Sequence, residues 1–583
     1  MAANLVQDLY RKKARRRIRV SAFICFLWLL VVVGRLVELQ VFGHGRAVER
    51  VAAQNQQADE IQARRGTIYD RNGRILAATL PARTIYYDPN IQEPLAVRYE
   101  PIKRLREKLE LSNEDLARFQ SQLAHGARRI WLKRKADPAL AAQVQSDHLR
   151  INSWEETKRY YPLGRQAAHV LGGVKASGEG AAGIESKFNA ILMGKPGKAI
   201  ILQDARQREY DYEVLEEPEI GRDLTLTLDE TIQYIAQTEL ERAVASTRSA
   251  WGTVIVSNPG SGDILAMATA PAYDPNLFSK TPEADFNRAI RYTIEPGSTF
   301  KIVTAAAALE SRAVGLSETF DCGEGAIALP GGSIRDHKLF GILDFPGIII
   351  HSSNVGTIQV GRRLDPDAFE AVIRAFGFGR RTGIELPGEE PGSLRPVAEW
   401  SRRSQASLSI GYEISVTPLQ LLQAVNIVAN RGRLVPPRIV KWIQGGRPRR
   451  DAETFATVLS AASCEKLVGI LKRVVVEGTG KEALAEGYTA AGKTGTTQIY
   501  DPAAKAYSTK RHIASFVGFT PAESPQLAMV VILYDPQTEE HYGGQVAAPV
   551  FREIARRVLL TLGIAPRRPA GLLVAGLRKD GSR

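Results

Sequence analysis

Residues 20–34 carry no charge and follow directly on seven cations, Arg11, Lys12, Lys13, Arg15, Arg16, Arg17 and Arg19. An apolar run headed by a cationic cluster is the pattern of a helix that enters a bilayer and leaves its basic end in the cytoplasm. The uncharged stretch falls short of the about 20 residues that a span needs. Apolar character resumes, however, at Leu36, Val37, Leu39, Val41 and Phe42 around Arg35 and Glu38, which stand three apart on one helix face, where they can pair or reach the headgroups. The expected span is therefore 20–42, with residues 1–19 a cytoplasmic basic tail and everything beyond Phe42 exported. A cleaved signal peptide is the rival reading, and the lack of a small-x-small site close behind the apolar run favours a retained anchor. Much of the net charge of +14 sits in this flank, so it does not argue for a nucleic-acid partner.

At 583 residues the chain exceeds what one hydrophobic core organises, and two or more domains are expected. Its cysteines, Cys25 in the apolar run with Cys322 and Cys464 beyond it, make no CxxC pair and no disulfide framework. The two exported thiols are expected buried and unpaired, with a single bridge left open. The eight histidines form no HxH or HExxH cluster, and neither a metal nor a cofactor is implied.

Chemistry gathers around Glu295-Pro296-Gly297-Ser298-Thr299-Phe300-Lys301, which opens an apolar, Ala-rich run over 302–309. Pro296 and Gly297 punctuate a turn, so Ser298 is expected in the first turn of a buried helix with Lys301 one turn further on. A serine hydroxyl attacks poorly until a neighbouring base takes its proton, and the start of a helix offers free N–H groups to an oxyanion. The spacing alone says little, since Ser463 and Lys466 repeat it in a surface-helix context. Ser352-Ser353-Asn354 and Lys493-Thr494-Gly495-Thr496 add the chain's one Ser-x-Asn and one Lys-Thr-Gly, in order and far apart. Residues 487–494 also fit a P-loop. A P-loop needs a buried strand before it and a helix after it, whereas polar residues 481–486 precede this one and β-branched residues follow, so no nucleotide partner is expected.

These three elements together are the serine/lysine signature of penicillin-recognising enzymes. Residues 64–77, which read strand, Asn-Gly turn, strand, resemble the opening motif of the class B, monofunctional penicillin-binding proteins. Arg159-Tyr160-Tyr161-Pro162-Leu163-Gly164, Gly183-Ile184-Glu185 and residues 192–197 resemble that family's non-catalytic pedestal, as packing and turn positions. The resemblance implies a membrane-anchored α+β protein with an elongated pedestal (43–222), a transpeptidase domain (223–563) that sets a five-stranded antiparallel sheet against helices, and a disordered tail (564–583). Strand, turn, strand over 252–267 after a helix near 230–244 agrees with an α+β layer.

The family's site residues map onto Ser298 as nucleophile, Lys301 as base, Ser352 as proton relay and Asn354 as the group holding Lys301 and substrate. Lys493, Thr494 and Gly495 then receive the substrate's terminal carboxylate, and Thr496 with Ser298 forms the oxyanion hole. The implied substrate is a peptidoglycan stem peptide ending in D-alanyl-D-alanine, and β-lactams are implied as covalent inhibitors. The implied place is the bacterial cytoplasmic membrane, with the catalytic domain outside. Carboxypeptidase, β-lactamase, β-lactam sensor and elongation-type transpeptidase remain alternatives on the same fold. Residues 512–519 look more like the septal, division-specific branch, which by analogy implies a membrane glycosyltransferase and other division proteins as partners. One departure stands out: in 411–420 Glu413 occupies the place of a small residue, at what reads as a helix start.

Overall fold

The computed structural model describes residues 2–42, 56–89, 92–127, 129–147, 150–203, 209–280, 286–446 and 456–566. Of the tail expected to be disordered, residues 567–583 lie outside this set. The chain forms two compact units, one of residues 1–63 with 195–219 and one of 64–194 with 220–583.

The first unit holds the helix Ala2–Val37, which a π-turn over Glu38–Phe42 continues. Its stretch Lys13–Val41 is long and apolar enough to cross a membrane and is not buried by the protein. Arg35 and Glu38 pair at 2.7 Å on its surface, as their spacing predicts. The unit also holds a three-stranded antiparallel sheet of Gln56–Ile61, Gly197–Gln203 and Glu209–Glu216, with Gly197–Gln203 in the middle.

In the second unit the predicted hairpin pairs Ile68–Tyr69 with Ile75–Tyr87. Asp70 closes the turn by accepting the N–H groups of Asn72 and Arg74, each at 2.8 Å, while Gly73 takes a left-handed φ of +86°. The long strand Ile75–Tyr87 then pairs with Ile130–Ala136 and Ile151–Tyr160, and the helices Leu95–Arg104, Asn113–Ala124 and Pro138–Asp147 pack against this sheet. There Ser112 caps Asn113–Ala124 in a capping box with Asp115, which turns Leu116, Phe119 and Leu123 into the core. Beneath the hairpin lies a buried ionic cluster. Glu185, fully buried, accepts from Arg65 Nε and Arg159 Nε at 2.6 Å each and from the Tyr161 hydroxyl at 3.2 Å.

The antiparallel five-stranded sheet runs Ile264–Ala270, Trp251–Ser257, Leu527–Tyr534, Ala506–Thr520, Ala491–Asp501. Alternate residues of its central strands serve two cores. Val254, Val256, Met529, Val531 and Leu533 pack with the helices Glu230–Thr247 and Ala548–Thr561, while Ile255, Val530 and Ile532 face the helices Lys301–Glu310 and Pro418–Ala429. Burial on both faces explains why Leu527–Tyr534 reads as an unbroken apolar run rather than an alternating one. Asp229 caps the first helix through the N–H groups of Thr231 and Ile232. The strand Ala491–Asp501 forms the sheet's edge, and the site is built against it.

Candidate active site

The turn Glu295-Pro296 leads into a short 3-10 turn, Gly297–Phe300, and then the α-helix Lys301–Glu310. Gly297 adopts φ +55° and donates its N–H to the Gly411 carbonyl at 3.0 Å, and a Cβ there would lie 2.2 Å from Thr497 Oγ1. Only glycine fits both the backbone angle and the space. Ser298 follows, half-buried in the first turn, where backbone N–H groups lack intrahelical acceptors. One turn on, Lys301 is wholly buried.

The Lys301 amine donates to the Ser352 carbonyl at 2.7 Å, to Asn354 Oδ1 at 2.8 Å and to Ser352 Oγ at 3.3 Å. Ser298 Oγ is not among its acceptors. Three acceptors suit an ammonium, and loss of a proton leaves a lone pair free to take the serine's. Burial and the nearby Lys493 cation push the Lys301 pKa well below that of an ordinary lysine, against an opposing pull from Asp336. Lys493 is also wholly buried, which brings it down to about 7. The Lys493 amine reaches the Thr494 carbonyl at 3.2 Å.

Ser352-Ser353-Asn354 joins the helices Phe345–Ile350 and Asn354–Gly361. Ser352 takes a left-handed φ of +61°, and Ser353 caps the second helix through the Gly356 N–H. Asp336, which no motif marks in the sequence, secures this corner. Its carboxylate accepts the N–H groups of Asn354 and, at 3.1 Å, Val355, together with the Ser353 hydroxyl at 2.7 Å. A lone aspartate in a loop carries no sequence pattern, so only the folded chain reveals it.

The edge strand abuts the nucleophile turn. A Cβ on Gly495 would meet Ser515 Oγ at 2.4 Å, Thr299 Cγ2 at 2.9 Å and the Pro296 carbonyl at 3.3 Å. Thr494 shares a hydrogen bond with Thr479 at 2.7 Å, and Thr496 Oγ1 accepts the Gly543 N–H at 3.0 Å. All eight predicted residues thus lie on three adjoining segments: Lys301 joins Ser352 and Asn354 directly, and residues 493–496 run along the turn that carries Ser298. Ser463, the chance match, is buried in the helix Ala461–Val476 while Lys466 is exposed. The P-loop look-alike ends in continuous strand through Lys493 and Thr494, with no helix start to cradle a phosphate.

Glu413 corrects an expectation. The helix begins at Pro418 behind its cap Thr417, and Glu413 instead stands in a turn ahead of the short strand Ile414–Ser415. Cys322 and Cys464 are free and buried. The Cys322 sulfur lies 3.4 Å from Ser353 Oγ, and burial pushes the Cys464 thiol up to about 12.

A hydroxyl at a helix start, two buried amines and a glycine-bearing edge strand define a serine/lysine acyl-transfer site. Residues 252–556 match the penicillin binding protein transpeptidase domain, and residues 60–226 match the penicillin-binding protein dimerisation domain. The chain is 33% identical over 517 residues to stage V sporulation protein D of Bacillus subtilis, covering 86% of this chain and 79% of that protein. It is 31% identical over 548 residues to the peptidoglycan D,D-transpeptidase FtsI of Escherichia coli K12, covering 93% and 91%. The crystal structure of penicillin binding protein 3 from Mycobacterium tuberculosis in complex with aztreonam superposes with a TM-score of 0.67 at 27% identity, covering 88% of this chain and 98% of that one. The chain belongs to the class B penicillin-binding proteins.

Proposed function

We propose that the protein is a peptidoglycan D,D-transpeptidase. Ser298 Oγ attacks the carbonyl carbon of the penultimate D-alanine of a stem peptide while Lys301 takes the hydroxyl proton. The oxyanion is held by the N–H groups of Ser298 and Thr496. The C–N bond then breaks, D-alanine leaves with a proton relayed through Ser352, and the acyl group stays on Ser298. An amine from a neighbouring strand attacks the ester and gives up a proton to Lys301, which passes it to the departing Ser298 oxygen, and a cross-link forms. Lys493 and Thr494 receive the donor's terminal carboxylate, and Asn354 fixes the Lys301 amine.

The observation that carries this reading is the Lys301 amine, wholly buried, hydrogen-bonded to Ser352 and Asn354 and depressed in pKa beside a second buried amine. In this reading the apolar helix is a single-pass anchor in the cytoplasmic membrane, with the basic end inside and the rest outside. The pedestal extends over 43–222 and the transpeptidase domain over 223–563, which the spans of the two family matches support. Septal synthesis, with a membrane glycosyltransferase and division proteins as partners, is supported by residues 512–519 and the likeness to FtsI.

The test is covalent labelling of the full-length, detergent-solubilised protein with a fluorescent β-lactam. The expected result is one adduct on Ser298 that disappears in Ser298→Ala. An adduct elsewhere, or one that survives the substitution, defeats the assignment. Comparing D-alanine release with dimer formation on a lipid-linked substrate separates transpeptidation from carboxypeptidase action, and midcell localisation separates the septal from the elongation role.

A further inference from the structure

The segment 411–416 forms the bed on which the nucleophile turn lies. Ile294 and Val416 exchange backbone hydrogen bonds at 2.8 and 2.9 Å, Gly297 donates to the Gly411 carbonyl at 3.0 Å, and the Glu413 N–H donates to Glu295 Oε1, also at 3.0 Å. The helix Ser404–Ser409 that leads into this segment is fixed to the nucleophile helix, because Thr304 Oγ1 donates to the Ser409 carbonyl at 2.8 Å. Residues 294, 295 and 297 are thus each hydrogen-bonded to one short turn.

That turn contains a residue in an unfavourable conformation. Glu413 has φ +60°, in the left-handed region where a Cβ is strained and glycine is the ordinary occupant. Such a conformation persists only where surrounding contacts hold it. Here the contacts come from the side chain itself: the Glu413 carboxylate accepts from the Arg395 guanidinium and, at 2.7 Å, from Ser404 Oγ. Arg395 follows the strand Ser393–Leu394, which pairs with Ile414–Ser415, and Ser404 opens the helix Ser404–Ser409 that ends against Gly411. The carboxylate thus ties the strand, the helix and the turn at one point.

On this geometry we propose that Glu413, held by Arg395 and Ser404, is a positioning residue for the acylation step: it locks the 411–416 turn and so fixes the Ser298 N–H and Oγ against the edge strand. The link to the reacting atoms is short. The Glu413 N–H holds the Glu295 carboxylate, which the Tyr507 hydroxyl from the neighbouring strand also holds at 3.0 Å, and Glu295 stands three residues before the nucleophile. A glycine in place of Glu413 would take the same backbone path without strain and without a lock. The turn would keep its fold and gain freedom, and Ser298 would reach the reactive geometry less often.

This inference rests on Ser298 as the acylated residue, and its test separates the two. Acylation of the full-length, detergent-solubilised protein by a fluorescent β-lactam, followed over a range of concentrations, resolves the non-covalent dissociation constant K from the acylation rate constant k2. Arg395→Met and Glu413→Gly are each expected to lower k2 about tenfold while leaving K within about twofold, with the melting temperature of Glu413→Gly at or above the parent's. The double variant is expected to be no slower than the slower single, because both remove one lock. Parental k2 in Arg395→Met overturns the proposal whatever the Glu413 variants do, since Arg395 shapes no part of the turn's backbone. Losses that multiply in the double variant also overturn it, as does a rise in K with k2 unchanged. A parent protein that is not labelled on Ser298 overturns the reading of the site instead.

Discussion

Two of the groups of charged side chains buried among the described residues are buried in opposite ways. Around Glu185, one carboxylate receives two guanidiniums and a phenol, so each buried cation has an opposite charge against it. Around Lys301, two amines are wholly buried, and the carboxylate of Asp336 is turned to the N–H groups of the Ser-x-Asn corner. The first arrangement sets opposite charges in contact and builds structure. The second makes the charged form of an amine costly, so a proton can leave near neutral pH. Burial is common to both, and the presence or absence of a counter-charge decides whether it yields a scaffold or a base.

Experiments can break this contrast. Its strongest form predicts that Lys301→Met lowers acylation by a β-lactam by about a thousandfold, within the range for loss of a general base. The melting temperature should not fall, since an uncompensated amine has been removed. A stable variant that retains rapid acylation would show that the buried amine is not the base. The mirror experiment, Glu185→Gln, strands two buried guanidiniums and is expected to cost about 3–5 kcal/mol in urea unfolding. The fraction that remains folded should acylate at the parental rate.

Lys493 supplies a subtler test. Its pKa moves from 10.5 in the unfolded chain to about 7 in the folded one. Below about 7 the amine is protonated in both states and its burial penalty is constant, whereas between about 7 and 10.5 the folded state sheds a proton that the unfolded state keeps. Stability should therefore rise with pH across that window, and Lys493→Met should flatten the rise in thermal melts. Loss of this neighbouring cation should also move the acidic limb of the acylation profile to higher pH, because Lys493 holds the Lys301 pKa down. The smallest effect expected is that of Asp336→Asn. It weakens the cap on Asn354–Gly361 by about 1 kcal/mol and slows acylation severalfold through a looser Asn354.

The contrast also explains what could be read before folding. Ser298, Lys301, Ser352, Asn354 and residues 493–496 announced themselves because each lies in a short motif with fixed local spacing. The sheet was legible from turn chemistry and apolar runs, and the hairpin at 68–77 from its Asn-Gly pair. Glu185 was legible only as a turn position, because its partners Arg65 and Arg159 are 120 and 26 residues away. Asp336 and Arg395 were silent for the same reason: their roles exist only across the fold. Glu413 was visible as a misfit, yet the turn it occupies was read as the start of a helix that begins five residues later, because Thr417-Pro418 is the actual cap and first position.

The glycines that meet beneath Ser298 bear on how such a protein could escape an acylating drug. A methyl group on Gly411 would sit 2.2 Å from the Gly297 carbonyl oxygen, and one on Gly543 would sit 2.3 Å from the carbonyls of Gly495 and Ser515. At Gly411 and Gly543 the walls are therefore main chain against main chain, with no room for a side chain. Adaptation that discriminates a bulky inhibitor from a slender peptide must come from the surrounding ring of residues that tension those walls, where a change in compliance can penalise one ligand more than the other.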